Sequence, residues 1–142
     1  MDGVSNAMSV PNITAAGARA AIDAALAEAE QLGVRVVIAV VDRGGNPLAL
    51  LRMDDAFLFS VEVAEKKAWT AVASGIGTHL LREAFNGSPT LLHGLGPKID
   101  RLMAVGGGVP VMIDGQLAGA VGVSGATEEQ DQQIAEAGAA AI

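Results

Sequence analysis

The sequence has no cysteine and no tyrosine, and aromatic residues make up only 3% of its 142 positions. Without cysteine there is no disulfide framework, thiolate catalysis, zinc–thiolate site or covalent c-type haem attachment. With so few aromatics the core must be built from Ala, Val, Leu and Ile, which lets helices lie close against a sheet. Basic charge is also scarce: nine Lys and Arg against sixteen Asp and Glu, a net charge of −7. No basic run exceeds Lys66-Lys67, which argues against a phosphate-binding face for nucleic acid and against an anionic membrane surface. No apolar run approaches the length of a transmembrane helix, and the opening MDGVSNAMS lacks the basic and apolar regions of a signal peptide. A soluble, cytoplasmic protein is the expectation. Missing too are GxxxxGK[ST] and a GxGxxG between strand and helix, and GVSGA departs from GxSxG by one position. A phosphate loop and a Ser-His-Asp hydrolase are therefore unsupported.

Hydrophobic residues account for 51% of the chain, a composition that folds, and its length suits one domain with one core. Ser5-Asn6-Ala7 ahead of Met8 reads as a cloning scar, so residues 1–8 are set apart as a scar or a disordered N-terminus and 9–142 as a single domain. Thr14 caps a first helix with Ile22, Leu26, Ala29 and Leu32 at helical spacing and Gly33 as its stop. VRVVIAVVD, from Val34 to Asp42, reads as a strand covered on both faces, and RGGNP turns it into a partner strand LALLRM. A second helix covers SVEVAEKKAWTAVAS, and Thr78 caps a short third over HLLREAF. Asn86 to Pro97 is a Gly/Pro-rich loop. GGGVP leads into strand PVMID, an Asp-Gly turn and strand LAGAVGVSG. Thr127 to Gln130 forms a capping box for a terminal helix. The order predicts an α+β domain: an antiparallel sheet of hairpins covered by helices.

Two adjacent lysines sit in the middle of an otherwise small and apolar helix. At about 100° per residue, Ala64, Ala68, Ala71 and Gly75 form one stripe. Lys66 falls away from it and pairs with Glu62 at i−4. Lys67 borders the stripe beside Val63, Thr70 and Ser74, with no acid at i±4, so its ammonium must snorkel out, meet a distant carboxylate or face a ligand. RMDDAF ends a strand, a common place for functional side chains. Arg52 there is suited to clamping a carboxylate, while Asp54 and Asp55 read more simply as caps or surface charge. In LAGAVGVSG, strict alternation puts Ala118, Ala120, Gly122 and Ser124 on one face, a flat plate for a closely packed helix or a planar ligand, the helix being the commoner use. His79 and His93, the only histidines, have no metal-ligand spacing, and surface histidine is the simpler reading of each.

These stretches resemble the GlcG/HbpS family of haem-degrading-type domains, also found at the C-terminal end of PduO-type cobalamin adenosyltransferases. The resemblance runs from about Ala16 to Ile142 and is carried by VVDRGGNPLA with RMDDA, by AEKKAWTA, and by GGGVPVMIDGQLAGAVGVSGATEEQD. It implies a profilin-like fold, a five-stranded antiparallel sheet with helices on both faces, whose fifth strand would fall near Leu102 to Val105. It also implies a homo-oligomer and, for some members, haem binding or degradation or a place in a catabolic operon. The family's A-x-x-K-A-x-T-A block puts its lysine on Lys67 and its threonine on Thr70. Its R-M-D block falls on Arg52, its G-x-P turn on Gly108 to Pro110, and its S-G-x…D segment on Ser124, Gly125 and Asp131. The opening helix lacks the histidine that members use as a haem ligand, so His79, His93 or an oxygen donor such as Thr90 would have to serve as the metal ligand. The leading expectation is a small-molecule-binding protein, with haem or another flat anionic ligand held by Arg52, Lys67, Thr70, Ser124 and Gly125. The alternative is a cofactor-independent isomerase-, lyase- or hydratase-like enzyme on a small organic acid or carbonyl compound. Lys67 would be its base or Schiff-base amine, and Asp42, Asp54 or Glu62 its acid. A third reading is a structural or regulatory subunit.

Overall fold

The computed structural model describes residues 5–142; the first four positions of the proposed scar lie outside the described residues. Its elements are α1 (Ala15–Leu32), β1 (Val37–Asp42), β2 (Pro47–Arg52), α2 (Ser60–Ser74), α3 (Thr78–Asn86), α4 (Pro89–Gly94), a 3-10 turn (Gly96–Lys98), β3 (Gly108–Ile113), β4 (Gln116–Ser124) and α5 (Glu128–Ala140). The strands form one antiparallel sheet in the order β2-β1-β4-β3, so the two hairpins meet through β1 and β4. No described helix is long and apolar enough to cross a membrane.

Helices cover both faces. Ala18, Ala21, Ala25 and Ala29 of α1, with Ile134 and Ala135 of α5, pack on Ile38, Val40, Val121 and Val123. On the opposite face Ala64, Ala68, Ala71 and Val72 of α2 pack on Val37, Ala39, Val41 and Ala120. The central strand β1 is therefore buried from both sides, as its unbroken apolar run predicts. The small-residue plate serves close packing of α2. A Cβ added to Gly122 would stand 2.5 Å from the Ala68 nitrogen and nearer still to the Ala64 carbonyl.

The structure departs from the sequence reading in several places, and Asn86 to Pro97, read as a loop, holds α4 and most of the 3-10 turn. The sheet has four strands, and Leu102 to Val105 forms no fifth. Side chains take the pairing a neighbouring strand would supply: Thr70 Oγ1 donates to the Arg101 carbonyl (3.2 Å) and accepts from the Met103 amide (2.8 Å), and Thr78 Oγ1 donates to the Val105 carbonyl (2.6 Å). Thr78 is thereby drawn away from capping; Gly77 is the N-cap of α3. Alternation along β4 also breaks. The β3–β4 register steps from Val111↔Gly119 to Met112↔Leu117, leaving Ala118 as a bulge whose carbonyl accepts from Ile13 N (3.2 Å). Ala118 consequently joins the α1/α5 core rather than sharing a face with Ala120.

Candidate functional site

Lys67 lies in the third turn of α2 on the flank facing the end of β4, and only 2% of it is exposed. Its Nζ donates to the Val123 carbonyl (3.0 Å) and to Asp131 Oδ2 on α5 (3.2 Å). The other oxygen of Asp131 accepts from the Ala126 amide (3.0 Å). Burial pushes the Asp131 carboxyl above its ordinary range, against the opposing pull of Lys67 and the backbone amides. The glycine run before β3 closes over this pair. Gly107 has φ +125°, and a Cβ on it would stand 2.8 Å from the Lys67 ammonium and 2.5 Å from the Val123 carbonyl, so only glycine fits. The amides of that run are held by side chains: Gly106 by Glu128 (2.7 Å), Gly107 by Gln132 (3.0 Å) and Gly108 by Thr78 (2.8 Å). The Gly106 amide, followed by Arg82, whose guanidinium is 2.5 Å from the carboxylate, holds Glu128 below the usual carboxylate range.

Above the Lys67–Asp131 pair opens a pocket of about 330 Å³. Ser60 and Ser124, joined by a 3.2 Å hydrogen bond, lie beside the pair, and Phe57, Phe59, Val63, Met103 and Val105 supply apolar walls. The two phenyl rings stand at the mouth, 59% and 69% exposed, with centroids 5.5 Å apart. Exposed phenyl groups beside a pocket whose floor is a satisfied ion pair form a site that can cover a flat apolar molecule.

The pocket gathers Lys67, Ser124 and Gly125 from the sequence-predicted set. Thr70 is buried against the Arg101–Met103 backbone instead. Arg52 and Asp54 line a separate groove of about 610 Å³, where Arg52 donates to the Ala56 carbonyl (3.2 Å). Arg52 and Lys67 therefore do not meet across one cavity. Glu62 pairs with Lys66 (3.7 Å) in a third hollow beside Trp69, so it does not stand opposite Lys67. Asp42 caps the β1–β2 turn, accepting from the Gly44 and Asn46 amides (both 2.9 Å). A Schiff-base role would require Lys67 to give up both its acceptors, and none of the three acids named as partners reaches it. His93 and Thr90 are exposed around α4, and His79 lines a small cavity with Arg82 and Glu128. No group of three or more His, Asp or Glu among the described residues is placed to hold a metal ion.

Local sequence reasoning missed Met103 and Arg35. Met103 sits in an irregular segment with no periodicity. Arg35 is the one charge inside the otherwise apolar stretch before β1, and it pairs with Asp55 (2.6 Å) at the surface.

One antiparallel sheet covered on both faces, with an apolar pocket above a buried Lys–Asp pair, defines a small ligand-pocket domain. The chain belongs to the family described as haem degrading protein HbpS-like, whose model matches residues 13–140. It is 42% identical over 127 residues to an uncharacterised 15.0 kDa protein of Citrobacter freundii encoded in a dhaT-dhaS intergenic region, covering 89% of each chain. It is 44% identical over 120 residues to the corrinoid adenosyltransferase PduO of the same organism, covering 84% of this chain but only 36% of that enzyme. Among solved structures it is similar to a PduOC:haem complex, with a TM-score of 0.80, 37% identity, and 92% of this chain and 95% of that one covered.

Proposed function

We propose that this chain binds haem, in the pocket at the N-terminal end of α2. The observation that carries the reading is the haem complex of a protein 37% identical to this chain over 92% of its length. The pocket chemistry supports it. A porphyrin needs apolar contact on its faces, which Phe57, Phe59, Val63 and Val105 offer, and its iron needs a donor. With no Cys or Tyr in the chain and both histidines outside this pocket, the Met103 thioether is the soft donor on the wall. Haem supplies a redox-active iron when bound. The protein's part is to hold the ring, exclude water from one face and keep the Lys67–Asp131 floor rigid.

Titration of the full chain with haemin tests this. The Soret band is expected to shift and saturate at about one haemin per chain with a Kd of about micromolar or tighter, roughly −8 kcal/mol. Met103→Ala is expected to move the band position of the complex. A haemin spectrum identical to that in buffer would remove haem as the ligand.

A further inference from the structure

The apolar pocket does not end at Phe57. A second hollow of about 500 Å³ shares Phe57, Gly125 and Ala126 with it and continues to Arg35. The two form one groove, with Met103, Val105 and the Glu128 carboxylate in its first part and the Arg35–Asp55 ion pair in its second. Its floor is fixed by close backbone contact. Gly125 has φ +138°, and a Cβ there would lie 2.6 Å from the Arg35 carbonyl.

We propose that Arg35 is the anion-recognising end of this groove, which accepts a flat apolar molecule carrying a carboxylate on one edge. The inference rests on the haem reading only for the identity of that molecule. Three observations single out Arg35. The Lys67 ammonium is buried and already has two acceptors. The Arg52 guanidinium lines the adjoining hollow, on the side of Arg35 away from Phe57, and is held by the Ala56 carbonyl (3.2 Å). Arg35, by contrast, has a side chain that is 58% exposed, and its carboxylate partner Asp55, 2.6 Å away, is 82% exposed. Its other contact, to the Asp54 carbonyl, is long at 3.4 Å. Exposed ion pairs of this kind contribute little, because water competes for both groups. A ligand carboxylate, desolvated on one side by Phe57, replaces Asp55 and takes the guanidinium fork in its bidentate geometry.

The test uses two fluorescent dyes with closely related ring systems, anilinonaphthalene sulfonate and the uncharged phenylnaphthylamine, titrated into the full chain and its Arg35→Gln and Asp55→Asn variants. Both side chains are exposed, so unchanged circular dichroism and thermal unfolding are expected. The sulfonate dye should bind about tenfold more weakly to Arg35→Gln, as one charge-assisted pair is lost, and more tightly to Asp55→Asn, while the neutral dye is indifferent to both. Absence of sulfonate binding to the wild type, or loss of both dyes alike in Arg35→Gln, or no loss at all, would overturn the assignment. Haemin run in parallel separates the two claims. Dye discrimination without haemin binding removes haem and keeps Arg35. Haemin binding that ignores Arg35→Gln, with the dyes equally indifferent, removes Arg35 and keeps haem.

Discussion

Lys66 and Lys67 are neighbours in sequence and end in opposite surroundings, one at the surface beside Glu62, the other under the glycine run against Asp131. Helical periodicity separates them and shows that Lys67 lacks a local acid. The partner lies on the last helix, so nothing in the local pattern names it. The same limit hides Met103 and Arg35, neither of which the periodic reading singles out. Removing one member of a buried pair strands the other charge, so Asp131→Ala is expected to destabilise the fold by about 3–5 kcal/mol. Replacing both partners, as Lys67→Met with Asp131→Leu, should recover most of it. Urea midpoints of the two variants against the unaltered chain check this. Burial raises the native pKa of Asp131 above its unfolded value. Its contribution to stability is thus full below the unfolded value and is lost as pH rises through the native one. Asp131→Asn should remove that fall from the pH–stability curve.

At the level of elements, most of the fold follows from periodicity and punctuation. Gly33 and Gly75 end α1 and α2 in left-handed conformations, and Thr127 with Gln130 closes a capping box on α5. Two of the failures have a common cause. The missing strand at 102–105 and the bulge at Ala118 are settled by partners distant in sequence, Thr70 and Thr78 in one case, Ile13 in the other. Asn86 to Pro97, read as loop, folds into α4 and a 3-10 turn with no buried residue, leaving little hydrophobic periodicity to detect. The plate on β4 is a packing surface for α2. Gly122→Ala must therefore push α2 off the sheet, and it is expected to cost about 1–3 kcal/mol in chemical unfolding. An unchanged midpoint would mean that α2 does not sit as closely as described.

For the whole molecule, the sheet carries two faces of different use. One is a sealed alanine-rich core under α1 and α5. The other places α2 so that its N-terminal end, the end of β4 and the start of α5 meet around the groove. Family membership was legible from the ordered sequence blocks, but the groove was not, because it is assembled from segments far apart in the chain and from phenyl groups that a sequence shows only as apolar. Neither histidine lines the pocket proposed to hold the flat ligand. The most direct measurement is the amide NMR spectrum of the labelled chain with and without paramagnetic haemin. Broadening is predicted to centre on Phe57 to Val63 and on Gly125 and Ala126. Broadening centred on His79 or His93, with those amides left sharp, would contradict it.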